Sequence, residues 1–482
     1  MSVMNQEALI SSVVEEVLRR VGPEPAGRSS APAGAEPGNA APAVHGPGVF
    51  SEVEPAVRTA LQAQRQLAAA GLAVRDAICK MFKQVSKQNA ESWGRIEFDE
   101  TKIGRLDHKI LKLELLEAVP GVEFLRTPAH SGDQGVSLDE AAPWGVIGVI
   151  TPVTHSIPTL TSNAISMIAA GNAMVVNPHP GGANCAAMAA AEYNRRIKQE
   201  HGIDPLICVV SPPTLRTAEE IFQHESVGLL AVTGGPGVAR AALKQRKRAV
   251  VAGPGNPPVV VDETADLDNA ATSIISGAAF DNNLLCIGEK EVFVVEKVFD
   301  QLMQAMRRAG AVELGADQIE RLAQVVFSFE KDHYVLNKKY VGADPAALGR
   351  EVQVDVPAGT DLLFGRSDEN SPWVSEEQMT TFVPFVPCRD FDHALELAIK
   401  YEHGFGHTAV IHSNDLKNIT RMGQAMNTTL FIVNGPSTAC LGAGGEGYAS
   451  YSIATPTGEG VTNPLTFTRF RRFSVSGSMR IV

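Results

Sequence analysis

Between Pro143 and Leu243 the chain repeats one pattern: a short continuous apolar run, then a helical pattern opened by Pro or closed by Gly. Val146-Ile147-Gly148-Val149-Ile150 reads as a strand and residues 158–170 as a helix stopped at Gly171. A strand over 173–176 and a helix over 182–199 closed by Gly202 repeat the pair, as do a strand over 206–210 and a helix over 215–224. A strand over 228–232 and a helix at Pro236–Leu243 complete the series. Strands that are apolar throughout are buried on both faces, and alternation with helices makes them right-handed βαβ units of a parallel sheet. Ligands of such sheets bind at the carboxyl ends of the strands. Two turns fall at that edge. Thr233-Gly234-Gly235-Pro236-Gly237 and Asn177-Pro178-His179-Pro180-Gly181-Gly182 both leave a strand and open a helix. The first puts Pro in the first turn, so free backbone N–H groups face whatever lies there. Neither turn is G-x-G-x-x-G, and Gly-rich turns also occur for plain geometric reasons.

A second α/β unit follows Val259-Val260-Val261-Asp262. Helices over 300–308, 319–326, 392–402 and 416–426 alternate with strands over 292–295, 408–412 and 430–433. A helical pattern from Leu267 to Ala279 ends in the turn-forming run Asp281-Asn282-Asn283, and a strand begins near Glu291. Cys286 lies on the connection between them, where a rigid scaffold presents side chains to a cleft. Two readings stand for it: a nucleophile, since a thiolate is intrinsically strong, or a small buried hydrophobe beside Leu284 and Leu285.

Ahead of these units, residues 5–21 form an amphipathic helix whose stripe is Ile10, Val13, Val14, Val17, Leu18 and Val21. It has no uninterrupted apolar core or basic start, as a secretory signal has, and Glu7, Glu15 and Glu16 argue against an organellar transit peptide. Residues 22–48 are Gly, Pro, Ala and Ser with hardly a large apolar side chain, a linker. It lets the helix range over about 30 Å, which suits a partner surface better than its own domain or a membrane. Residues 49–118 read as helices over 52–72, 73–88 and 102–116. Residues 119–141 read as an irregular excursion that can pair at an oligomer interface, and residues 465–470 as a strand able to add to another subunit's sheet.

A formal charge of −12 over 482 residues argues against nucleic acid as partner. No apolar run approaches the 18 or so residues of a membrane span. Six cysteines lie far apart with no C-x-x-C pair, which suits free thiols in a reducing cytosol. His403 and His407 are four apart, but Gly404 and Gly406 spoil a helix between them, so no metal site is expected.

From about residue 50 to the end these pieces, in order, resemble the aldehyde dehydrogenase superfamily. Pro143-Trp144-Gly145-Val146-Ile147-Gly148 is similar to its P-x-G-V-x-G, Ala170-Gly171-Asn172-Ala173 to its A-A-G-N, and Thr233-Gly234-Gly235 to its F-T-G-S turn. Gly253-Pro254-Gly255-Asn256-Pro257 stands for E-L-G-G-K-N-P, residues 280–288 for the nucleophile loop and residues 377–384 for E-I-F-G-P-V-L. Two departures matter. Thr151-Pro152-Val153-Thr154 puts Thr154 where P-W-N has asparagine, and Val251 with Ala252 occupies the place of the glutamate that activates water in hydrolytic members. This pattern, with Gly444-Gly445-Glu446-Gly447-Tyr448 and residues 453–460, resembles the CoA-acylating aldehyde dehydrogenases, above all the propanal-oxidising members of bacterial microcompartments.

The resemblance implies an aldehyde dehydrogenase-like α/β fold of two parallel-sheet domains, with a small β oligomerisation flap and a tethered N-terminal helix. Residues 1–21 would be a targeting helix, 22–48 a linker, 49–256 the nucleotide-binding domain, 257–440 the catalytic domain and 441–482 a tail with an oligomerisation strand. It further implies Cys286 as nucleophile and Thr154, with the Cys286 backbone N–H, as oxyanion donor. Thr151, Pro152, Asn177, Pro178, His179, Thr233, Gly234, Gly235, Gly253 and Glu377 would contact NAD, Glu377 at the nicotinamide ribose. Coenzyme A would then take the acyl group, in ping-pong order. The implied setting is a homo-oligomer, dimer or tetramer, in the lumen of a bacterial microcompartment, docked to shell or cargo through residues 1–21. An acetaldehyde-preferring enzyme, a hydrolytic or phosphorylating semialdehyde dehydrogenase, and a non-catalytic scaffold are the rival readings.

Overall fold

A computed structural model describes residues 45–330 and 333–481; the expected targeting helix over 1–21 and most of the linker over 22–48 lie outside the described residues. The repeating pattern after Pro143 builds a six-stranded parallel sheet in the order Val49–Phe50, Ile207–Val210, Ala173–Pro178, Val146–Thr151, Val227–Thr233, Ala249–Ala252. Every residue of Val146–Thr151 and Ala173–Pro178 is buried, which is what continuous apolar strands require of a two-faced sheet. After the short edge strand Val49–Phe50, the chain enters the sheet at the central strand Val146–Thr151, steps outward to one side, then returns to build the other. That reversal leaves a crevice between the carboxyl ends of Val146–Thr151 and Val227–Thr233. The edge strands Val49–Phe50 and Ala249–Ala252 carry too few residues to be read from sequence.

Helix Ser156–Ala169 is buried at all of its positions, since helices Leu72–Gln88 and Ala183–His201 and the turn Pro464–Phe467 cover it. The leading helices are Val53–Ala70, Leu72–Gln88, Ala90–Thr101 and Leu106–Glu114. The third was not expected, and the fourth begins later than the expected 102, because Lys102 takes a left-handed conformation that ends the helix before it. Gly94 inside Ala90–Thr101 looks like a breaker, yet a Cβ there would stand 2.8 Å from Ile110 Cγ1. Close approach of Leu106–Glu114 is the reason for glycine.

The second sheet has seven parallel strands, ordered Val312–Glu313, Leu363–Arg366, Phe382–Cys388, Glu291–Val295, Pro258–Val261, Thr408–His412, Leu430–Val433. An apolar core surrounds each sheet, and a smaller third one gathers Ile319, Leu348, Trp373 and Phe382. A three-stranded antiparallel sheet of Ala129–Gly132, Gly135–Pro143 and Thr468–Ser476 stands apart from both. It corrects two expectations. Residues 129–141 are regular strand rather than irregular, and the C-terminal strand starts at Thr468, after a helical turn at Pro464–Phe467 capped by Asn463. That strand adds to the chain's own Gly135–Pro143.

Candidate active site

The loop that carries Cys286 is built from a strained turn. Helix Leu267–Ala278 ends, and Asp281, Asn282 and Asn283 then follow with φ of 49°, 56° and 65°, three left-handed residues in succession. Asn and Asp visit this region more readily than other non-glycine residues, and each still costs about 1 kcal/mol or more, so the surroundings must hold the turn. They do so at each position. The Asp281 N–H donates to His108 Nδ1 at 2.8 Å, and Asn282 Nδ2 donates to the Gly342 carbonyl at 2.9 Å and to Asp344 Oδ1 at 2.8 Å. Asn283 Nδ2 donates to the carbonyls of Ala278 and Glu289 at 2.8 and 2.9 Å. Lys290, fully buried, closes the loop from below through the Asn283 carbonyl at 2.9 Å and the Asn283 amide oxygen.

Cys286 emerges half-buried from this loop. Burial pushes its thiol up to about 12, with the Glu377 carboxylate adding to the rise, while Lys290 and the backbone at Cys286 and Ile287 pull it down. Gly255 passes beneath: a Cβ there would lie 2.5 Å from the Cys286 carbonyl oxygen and 3.1 Å from the His407 ring. Glycine is what lets the 252–257 connection run this close to the loop.

All twelve residues singled out from sequence line one cleft of about 690 Å³: Cys286, Thr154, Thr151, Pro152, Asn177, Pro178, His179, Thr233, Gly234, Gly235, Gly253 and Glu377. The cleft lies where the carboxyl edge of the first sheet faces the amino edge of the second. Thr151, Thr233 and Asn177 come from the ends of first-sheet strands. Cys286 precedes Glu291–Val295 and Glu377 precedes Phe382–Cys388, while His407, buried behind Gly255, does not reach the cleft. The carboxyl-edge rule therefore places only the first half of the site.

The side chains differ in how free they are. Asn177 is tied at both ends of its amide, donating to the Thr214 carbonyl at 3.3 Å and accepting from Thr217 Oγ1 at 2.6 Å. It offers the cleft a wall rather than a contact. Thr233 Oγ1 is 2.7 Å from Ser452 Oγ, and the exposed His179 accepts from its own turn, Gly181 N–H, at 3.1 Å. Thr151 Oγ1 is buried on the cleft with no partner among the described residues, an unmet hydrogen-bonding group of the kind a ligand satisfies. At Gly235 and Gly237 a Cβ would meet nothing within 4 Å, and helix Pro236–Leu243 starts without a side-chain cap. Open space against backbone N–H groups at a helix start suits a diphosphate. Cleft size, orphan hydroxyl and uncapped turn together fit a dinucleotide.

Glu377 is the sole carboxylate among the described residues lining the cleft. Burial raises its carboxyl, while Lys290 and the Gly255 backbone lower it. Val251 does not reach the cleft: it is buried in the first core, its N–H bonded to Thr457 Oγ1 at 3.0 Å, and Ala252, Gly253 and Pro254 form the wall instead. No acid rises from this strand toward Cys286.

Several residues with a place at the site carried no signal in sequence. His155 and Tyr451 line the cleft, their rings 5.7 Å apart. Burial, aided by Lys112 and Lys109, holds His155 well below the ordinary imidazole range, so it is neutral. His407 is neutral too, lowered to about 4 by burial and Lys290; its Nδ1 sits 2.8 Å from Thr408 Oγ1 and its Nε2 has no partner among the described residues. His403 bonds instead to the Ser375 carbonyl at 2.8 Å, so the two histidines face different surroundings.

The sequence pattern of the aldehyde dehydrogenase family matches residues 48–451. The chain belongs to the aldehyde dehydrogenase family. The acetaldehyde dehydrogenase (acetylating) of Bilophila wadsworthia is 41% identical over 447 residues, covering 90% of this chain and 91% of that protein. The propanal dehydrogenase (CoA-propanoylating) of Citrobacter freundii is 37% identical over 483 residues, covering 100% of each. A propionaldehyde dehydrogenase from the Clostridium phytofermentans fucose utilisation bacterial microcompartment superposes with a TM-score of 0.88 at 38% identity, covering 90% of this chain and 100% of that one. As in any aldehyde dehydrogenase, the chemistry must come from the cleft, and here that cleft offers one thiol, one carboxylate and an apolar wall.

Proposed function

We propose that this aldehyde dehydrogenase oxidises a short-chain aldehyde, propanal in preference, to its acyl-CoA through a thioester on Cys286. Cys286 forms a bond to the carbonyl carbon, and the developing oxyanion meets the Cys286 backbone N–H and the Thr154 hydroxyl. NAD, when bound, accepts the hydride and leaves the acyl group as a thioester. The thiol of coenzyme A then displaces Cys286, which departs as thiol and is ready for the next aldehyde. Since one cleft serves both, the cofactor leaves before coenzyme A enters. Glu377 borders the sulfur, so the phosphates of either ligand meet no carboxylate elsewhere along the wall.

One observation carries this reading: the wall beside Cys286 is Ala252-Gly253-Pro254, with Val251 turned into the core. Water beside the thioester has no base on that strand, whereas a thiol with a pKa of roughly 8.5 already holds some thiolate at neutral pH and needs little help. The test is NADH formation from propanal with and without CoA. We expect, without CoA, a burst of at most one NADH per Cys286, and steady turnover to propanoyl-CoA once CoA is added. Sustained NADH release without CoA would establish the hydrolytic alternative.

The setting is part of the proposal. The amphipathic stripe of residues 1–21 on its Pro/Ala linker supports a packaging tag for a bacterial microcompartment, in keeping with the origin of the superposed relative. Exposed Phe470 and Phe473 on the three-stranded sheet support a homo-oligomer. Among the described residues no helix is long and apolar enough to cross a membrane.

A further inference from the structure

Helix Leu106–Glu114 sends two lysines inward. Lys109 and Lys112 lie three apart, on the face that carries Leu113, and neither exposes any side-chain surface. Their ammonium groups sit between two equally buried carboxylates. Lys109 Nζ is 3.5 Å from Glu97 Oε1 and 3.3 Å from Asp281 Oδ2, and Lys112 Nζ bonds to that same Asp281 oxygen. Two positive and two negative groups make the cluster neutral, the condition for keeping charge out of water.

The remaining bonds show what the cluster joins. Both ammonium groups donate to one acceptor, the Thr154 carbonyl, at 2.7 and 3.0 Å. Glu97 Oε2 accepts the Ile157 N–H at 3.0 Å, in the first turn of Ser156–Ala169. Asp281 Oδ1 accepts the Arg105 N–H at 2.9 Å. Asp281 opens the strained turn that leads to Cys286, and Thr154 is the residue assigned to meet the oxyanion. The lysines and Glu97 do not themselves line the cleft. A buried ion pair is a poor way to gain stability, since apolar replacements of similar volume are often as stable or more so. Its use here is geometric.

We propose that Lys112 is a positioning residue for acylation: by holding Asp281 and the Thr154 carbonyl at once, it fixes the sulfur relative to the oxyanion-receiving turn. Lys109 braces the same carbonyl from Glu97. This inference rests on Cys286 as the nucleophile.

The test compares full-length Lys112→Met, the charge-matched double variant Lys112→Met/Asp281→Asn and Cys286→Ser. The readouts are Tm, KM for NAD, and the rate constant of the NADH burst with saturating propanal. Lys112→Met leaves two buried carboxylates to share Lys109 alone, so both Tm and burst constant fall. The double variant regains Tm, but its burst stays at least about 10-fold slow with KM for NAD unchanged, since misplacement by an ångström costs on the order of 10²-fold. A double variant whose burst matches the parent overturns the proposal. If that variant folds poorly, Asp281→Asn alone, whose one amide oxygen serves Arg105 while its NH2 faces Lys112 and so breaks the same tie, carries the same expectation and the same refutation. A Cys286→Ser enzyme that still gives the burst overturns the nucleophile assignment instead.

Discussion

Leu441→Ala tests where the alkyl tail of the aldehyde lies. Leu441, Leu285, Ser450 and Tyr451 line the main cleft near Cys286 and also wall off a recess bordered by Leu115, Phe280 and Ala449. The recess has about 10 Å³ of free space, room for a single water, so a tail directed toward it meets Leu441 before it can enter. Replacing Leu441 by Ala removes three carbons and joins the recess to the cleft. Each methylene newly buried is worth about 0.8 kcal/mol, a factor of about four, so three give about 2.4 kcal/mol, or about 60-fold. The assay is kcat/KM over C2 to C6 aldehydes with NAD and CoA at saturation. Hexanal should gain on propanal by a factor between about 10 and 60. Leu441 also packs in the second core, so a Tm drop from a cost of about 2–5 kcal/mol accompanies the change and confirms that space was opened. Leu215→Ala, at an 82% exposed position elsewhere on the same cleft, is the control and should leave the ratio alone. An unchanged hexanal-to-propanal ratio in a folded Leu441→Ala enzyme would refute the placement of the tail.

Two further outcomes are expected. Glu289 is fully buried and accepts from the Ser437 N–H and hydroxyl, both at 2.8 Å; burial nevertheless raises its carboxyl from 4.5 to about 7. The folded state therefore holds a proton that the unfolded chain releases, and this residue's contribution to stability falls as pH rises from 4.5 to 7, by about 3 kcal/mol in all. Glu289→Gln should lose less Tm than the parent between pH 5 and pH 8, and parallel losses would show that Glu289 is not the titrating group. Deleting residues 1–21 should leave kcat and KM of the free enzyme unchanged while abolishing co-purification with microcompartment shells; equal retention would dispose of the packaging role.

What could be read in advance followed from rules that act locally. Val146–Thr151 and its neighbours announced themselves because a strand covered on both faces is apolar throughout, and Asp281-Asn282-Asn283 did so because Asn and Asp tolerate left-handed backbone. What escaped depended on neighbours far along the chain. Residues 89–101 carried no helix in advance, and only contact with Ile110 makes Gly94 the right residue inside one. Lys109 and Lys112 are of a type almost never fully buried, and nothing near them in sequence reveals Asp281 as their partner, 169 positions beyond Lys112. Val251 was matched by alignment to a catalytic position, but strand alternation turns it inward and gives the wall to Ala252. The second half of the site, Cys286 and Glu377, was reached through the loop pattern and the family resemblance and not through the edge rule, because it occupies the amino edge of its sheet, opposite to where ligands of parallel sheets usually bind.

Because the sulfur belongs to one sheet and the Gly-rich turns across the cleft to the other, no single rigid element sets the gap between them. It is spanned by bonds that cross the seam, such as the Asp281 N–H to His108 Nδ1 at 2.8 Å and the Arg105 N–H to Asp281 Oδ1 at 2.9 Å. Each core can stay intact while the seam slackens by a fraction of an ångström. Warming or mild denaturant should then silence turnover before either sheet melts, so residual structure would be a poor guide to residual catalysis.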